Sequence, residues 1–464
     1  MPCPSLSAKS MASLALIPYF FTEPFESFSV LDNQDRPLQG SGQGTGQSAG
    51  LLVLVADISN DALATNSHPA AILHSVNREE DPVTQQTSVF MDDTTLYMNL
   101  AGITSYLMTK YNFPFDKAVV YALEHLVKTY SKYLWTTGGR LSLEKCYWYL
   151  LISVRGKNGL YKFLPAQKCK HDMTLQEEAI DGALVTIPQL DPSDVRRGLG
   201  ITGAPDGKWK TQRTVLLDKA RHWATSIRAS ALNAAEIWTA YTSVLWPGLS
   251  YSLAITSLSV LDLRLIQQKV SLIIGNSLGL NKSFPDALFY GAKKYGGLGI
   301  VPLIAQQCIL KLFLFLRHIR SNDDIRRQLL ISMSYTQLEV GVATQFFRIK
   351  FSKFTHLLTS TWTTHLWEFL SLSNIQLWHA SSEPIWLPVL QREHDTFIST
   401  HILASSFSLE DQRIINEWRI YFRAISIADL ATTNGKYISK DVFFGWKTSE
   451  RRSNLHWPVA SRPS

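Results

Sequence analysis

The sequence predicts an α+β fold, with an antiparallel sheet in its first half and a mainly α-helical chain after it. Up to about residue 200, short β-branched and aromatic runs alternate with one strongly periodic helix. Beyond Gly207 long helical patterns dominate, as in LLDKARHWATSIRASALNAAEIWTAYTSVLW and LIAQQCILKLFLFLRHIR. Proline and glycine at Pro247, Gly248, Pro285 and Gly296-Gly297 punctuate those patterns.

Residues 1–39 read as irregular, because Pro2, Pro4, Pro18, Pro24 and Pro37 interrupt any long element. A glycine-rich turn, GSGQGTGQSAG from Gly40 to Gly50, leads into LLVLVADISNDALA, a buried helix with Ser48 as its N-cap. The segment TSVFMDDTTLYMNL predicts two short strands around an acidic turn. From Phe115 to Leu134, apolar side chains at Ala118, Val119, Ala122, Leu126, Tyr130 and Leu134 recur at helical spacing, and Gly138-Gly139 end the helix. The runs CYWYLLISV and LYKFL flank Lys157-Asn158-Gly159 as a strand pair. A domain boundary is expected near 205, and a second break at Ser321 to Asp324. The expected divisions are therefore 1–39, 40–205, 206–325 and 326–464, the last helical and ending in a basic tail.

Composition bounds the function. The chain of 464 residues is 45% hydrophobic, 11% aromatic and 18% charged, enough to bury the cores of two or three globular units. A formal charge of +7 favours an anionic partner such as a phosphate backbone. Cys3, Cys146, Cys169 and Cys308 lack zinc-site spacing and read as reduced thiols. No apolar run approaches the roughly 20 residues that span a bilayer, and Pro18 interrupts the one stretch resembling a leader, MASLALIPYFF. These features predict a soluble intracellular protein of nucleus or cytoplasm without a membrane partner. No Walker A or dinucleotide fingerprint is present, and His222, His318, His365 and His379 are too scattered in sequence for a recognisable hydrolase pattern.

The sharpest feature is Phe90-Met91-Asp92-Asp93. Adjacent carboxylates on a tight hairpin turn supply hard oxygen ligands on short stems, as Mg²⁺ requires; the bland reading is a solvated turn. Upstream, Gln43, Gly44 and Ser48 lie in a glycine-rich turn suited to a nucleotide and its template base. Downstream, Lys145 follows Gly138-Gly139, and Leu199-Gly200-Ile201 comes later. In this order the four features are similar to motifs B, C, D and E of reverse transcriptases. LGITGAPDG, YTSVLWPGLSY, YGAKKYGGLGI and NEWRIYFRAISIADLATTNGKYI also resemble segments of non-LTR retrotransposon reading frames of the diatom and protist type.

The resemblance implies a polymerase palm over 40–205, a helical thumb over 206–325 and RNA-directed DNA synthesis through Mg²⁺. It implies Asp92 and Asp93 as metal ligands and Lys145 as general acid. Gln43, Gly44 and Ser48 would contact nucleotide and template, and Leu199, Gly200 and Ile201 would form the primer grip. RNA template, DNA primer duplex and deoxynucleoside triphosphates are the implied partners. Lys208, Lys210, Arg213 and Lys219 would track the duplex backbone, as a basic helical face does. The family's motif A, which supplies the other metal-bridging aspartate from a strand before motif B, is not recognisable: Asp32 and Asp35 lie in a polar turn, and Asp57 and Asp61 in the predicted helix. The expectation is an N-terminally truncated palm, inactive alone; the alternative is a non-catalytic nucleic-acid-binding or inert remnant.

Overall fold

The computed structural model describes residues 15–21, 70–76, 82–85, 87–90, 93–99, 107–136, 141–155, 161–168, 170–176, 182–198, 200–281, 283–377, 384–432, 434 and 436–438. They fall into two compact units, one built from Met1–His74, Asp81–Gly156 and Tyr161–Asp194, the other from Ser75–Glu80, Lys157–Leu160 and Val195–Ser464. The architecture is mixed α+β.

In the first unit the strands are β1 (Ala15–Phe21), β2 (Ala71–Leu73), β3 (Val83–Gln85), β4 (Thr87–Phe90), β5 (Asp93–Leu96) and β6 (Met98–Asn99). After helix α1 (Phe115–Thr136) come β7 (Tyr147–Leu151), β8 (Ser153–Arg155), β9 (Tyr161–Phe163), β10 (Met173–Gln176), β11 (Leu184–Ile187) and β12 (Gln189–Leu190). The main sheet has the order β12-β7-β1-β5-β4, with β6 also paired to β1; all of its pairings are antiparallel except that of β12 with β7. Three two-stranded ribbons, β2–β3, β8–β9 and β10–β11, accompany it. The ribbon β8–β9 flanks Lys157-Asn158-Gly159 as expected, while β7 joins the main sheet instead.

The expectation of an irregular N-terminus is corrected by β1, which occupies the middle of the sheet between β5 and β7. Its pairing to β5 ends at Tyr19↔Thr95 and resumes with β6 at Leu16↔Met98, so the ladder is interrupted beside Ile17 and Pro18. A strand tolerates proline at such an irregularity, which is why Pro18 does not break β1.

The core explains the rest of the unit. On α1, Ala118, Val119, Ala122, Leu123, Leu126, Val127 and Tyr130 are buried against Leu96, Met98, Trp148, Leu150 and Ile152. Every residue of β7 is buried: Tyr147, Tyr149 and Leu151 form a second cluster with Phe163 and Leu190 on the other face. Covered on both faces, the strand reads as a continuous apolar run without polar alternation.

The main segment of the second unit begins at Val195, before the boundary expected near 205. The hairpin of β13 (Arg196–Gly198) and β14 (Ile201–Gly203) belongs to it because Thr202 N–H donates to the buried Gln212 Oε1 at 2.8 Å and Gly203 lies against Trp209. The long predicted helical pattern divides into α2 (Lys210–Ala229), α3 (Ala234–Ala240), a π turn at Tyr241–Leu245 and α4 (Trp246–Leu253). Asn233 and Glu236 form a capping box that starts α3 afresh, and Pro247 sits in the first turn of α4, where its missing N–H is tolerated.

Helices α5 (Val260–Ser277), α6 (Asp286–Phe289), α7 (Leu303–Ile319) and α8 (Asp324–Val340) follow, then α9 (Trp362–Leu372), α10 (Ile398–Ala404), α11 (Leu409–Tyr421) and α12 (Ile427–Leu430). Asp323 caps α8, at the break expected after residue 321. The cores do not divide there: Leu303 of α7 packs in one cluster, while Phe315 and Ile319 of the same helix pack in the next.

Candidate functional site

Asp93 falls on a hairpin. Strands β4 and β5 are antiparallel with Phe90 opposite Asp93, so the connection between them is Met91-Asp92. Asp93 opens β5; Asp92 lies outside the described residues, as do Gln43, Gly44, Ser48 and Leu199.

Register brings Lys145 to the same end of the sheet. Tyr19 of β1 is flanked by Thr95 on β5 and Tyr147 on β7, both strands running antiparallel to β1. Asp93 pairs with Phe21, and Lys145 ends the 3-10 turn that leads into β7, so both lie toward the Phe21 end of β1. Lys145 is exposed and closes a 3-10 turn, Leu143–Lys145, through its N–H to Ser142 O at 3.0 Å.

Behind this end, Thr94 Oγ1 and Tyr130 Oη share a buried hydrogen bond of 2.8 Å that ties β5 to α1. Burial pushes the Tyr130 phenol above its ordinary pKa. The signal for this contact is in the sequence: a tyrosine on the apolar stripe of a helix must find a partner for its hydroxyl.

A two-metal centre needs more than one carboxylate, because two nearby divalent cations are not neutralised by one acid. Neighbouring β1, ALIPYFF, carries none, and no group of three or more metal-ligating side chains occurs among the described residues. Strand β1 therefore brings no second carboxylate to the hairpin end of the sheet.

The remaining predicted residues lie in the second unit. Gly198 pairs with Ile201 across the β13–β14 hairpin; Gly200 has a φ of 77° and Ile201 is buried. A tight turn with a left-handed glycine accounts for this motif structurally. On the basic stretch, Lys208 pairs with Asp206 at 2.7 Å and Arg213 with Asp262 of α5 at 2.9 Å. Lys210 and Lys219 are exposed on α2, and Arg221 pairs with Asp218. Trp223 is buried in the core and does not face solvent.

Comparison with models of known protein families gives no match, nor does comparison with curated proteins. No helix among the described residues is long and apolar enough to cross a membrane.

Proposed function

We propose that this chain is a reverse-transcriptase-like, nucleic-acid-binding protein of retrotransposon origin that does not extend a primer by itself. The ancestral reaction on this reading is RNA-templated DNA synthesis with Mg²⁺. The observation that carries the reading is the β4–β5 hairpin, whose connection holds Asp92 and whose second strand opens with Asp93. Lys145 at the same sheet end agrees with it. The loss of synthesis is argued from β1: the strand beside the hairpin brings no carboxylate to complete a metal pair.

Binding does not depend on that pair. Phosphate contacts release counterions whatever the state of the catalytic end, and the net charge of +7 favours them. The exposed Lys210 and Lys219 on α2 are the best placed of the predicted backbone contacts, since Arg213 is engaged by Asp262.

The test is fluorescence anisotropy of a labelled primer–template duplex titrated at several salt concentrations. Affinity on the order of micromolar near physiological salt is expected, falling as salt rises. Lys210→Ala with Lys219→Ala should weaken it and reduce the salt slope by up to about two phosphate contacts. Affinity indifferent to salt, or to both substitutions, contradicts this assignment.

A further inference from the structure

The segment YGAKKYGGLGI, from Tyr290 to Ile300, folds into a closed loop. Leu298 N–H donates to Leu288 O at 2.9 Å, Gly299 to Gly291 O at 2.8 Å and Gly297 to Ala292 O at 3.2 Å. Glycine is required at two of these positions: a Cβ on Gly297 would collide with the Gly291 carbonyl, and one on Gly291 would lie 2.5 Å from Ala287 O. Phe289 and Ile300 are buried at the two ends, and Tyr290 Oη shares a 3.1 Å hydrogen bond with Ser271 Oγ of α5.

This closed frame holds a single exposed turn, Lys293-Lys294-Tyr295. Tyr295 is 78% exposed, with Lys294 Nζ 4.7 Å from its ring centroid. Lys293 Nζ stands 5.2 Å from the centroid of the half-buried Trp238. Each lysine thus lies over an aromatic ring, and the hydrogen-bonded backbone beneath them is already folded, which lowers the ordering cost of binding. An open aromatic face accepts any nucleobase, and flanking ammonium groups accept its phosphates.

We propose that Lys293-Lys294-Tyr295 is a stacking platform for single-stranded nucleic acid, with a base on the open face of Tyr295 and backbone phosphates on the two lysines. The inference rests on the reading of the chain as a nucleic-acid binder and assigns it a second contact of a different kind. A polyanionic strand is favoured over a protein surface because both charged groups at the tip are cations.

The test uses the full chain and two labelled probes, an oligothymidylate of about 12 nucleotides and a duplex of the same length, followed by anisotropy. Tyr295→Ala should weaken single-strand binding about tenfold, while Tyr295→Phe retains it, because stacking uses the ring and not the hydroxyl. Duplex affinity should stay within about twofold of the parent in both variants, since its contacts are to phosphates. Lys293→Ala with Lys294→Ala should weaken single-strand binding and lower its salt dependence. Tyr295→Ala binding the single strand as the parent does overturns the platform. A parent that binds duplex but no single strand removes the platform and leaves the proposed function standing; one that binds neither removes both. If Tyr295→Ala changes only self-association in sedimentation, the tip is a protein contact and the proposal is wrong.

Discussion

In the sheet unit, the charged candidates lie toward one sheet end: Asp93 pairs with Phe21, the last residue of β1, and Lys145 ends the turn that leads into β7. The helical unit places its most conspicuous charges inside. Lys311 is 1% exposed, with its ammonium donating to Ser257 Oγ at 2.9 Å and lying 5.3 Å from the Trp362 ring centroid. Arg419, also buried, donates to the carbonyls of Leu338 and Glu339 and to Asn416 Oδ1. Both groups donate to neighbouring protein segments. The difference teaches that burial of a charged group here serves packing between helices, while the described candidates for binding are exposed on a turn beside the sheet, on α2 and at a loop tip.

If that division is right, replacing an internal charged group should change stability and leave binding intact. Arg419→Ala should show the largest effect, a loss of about 3–5 kcal/mol, because buried carbonyls would lose their donor. Urea denaturation followed by circular dichroism measures it; a loss under about 1 kcal/mol would show that this guanidinium is not needed inside.

Lys311 should respond in the opposite direction. Burial lowers its pKa from the ordinary 10.5 to about 7, so between those values the unfolded chain binds more protons than the folded one. This group's contribution to stability is greatest above pH 10.5 and is lost as pH falls toward 7. Lys311→Met should therefore be neutral or stabilising by roughly 1–3 kcal/mol near pH 7 and should flatten the rise toward alkaline pH. Urea midpoints at neutral and alkaline pH, compared with the parent, decide it; the same slope in both proteins would mean that Lys311 does not titrate in this window.

The sheet unit supplies a smaller effect. Thr94→Val keeps the shape of β5 and removes the partner of Tyr130, at a cost of about 1–2 kcal/mol. Tyr130→Phe in the same background should restore part of the loss, because both ends of the bond are then apolar. A double-mutant cycle with no coupling would show that the bond does not tie β5 to α1.

Much of the sheet unit was legible in the sequence because its signals are local. The hairpin around Met91-Asp92 and the stripe on α1 follow from spacings within one element. Strand β1 was not legible: its pairing with β5 and β7 joins distant segments, and Pro18 argues locally against a strand. In the helical unit the pattern of α7 announced a helix but not that two cores share it, nor that Lys311 on its stripe is buried. Arg213 looked free for phosphate because its partner, Asp262, lies on another helix. Gln43, Gly44, Ser48, Asp92 and Leu199 lie outside the described residues, so their placement rests on sequence alone.

The central claim is that binding is retained without synthesis, and primer extension tests it most directly. The purified chain, given a primed RNA template, deoxynucleoside triphosphates and Mg²⁺ or Mn²⁺, should bind the duplex and yield no extended primer, with Asp92→Asn leaving that binding unchanged. Extension that Asp92→Asn abolishes would contradict the account, since a second carboxylate must then complete the metal pair that β1 does not supply.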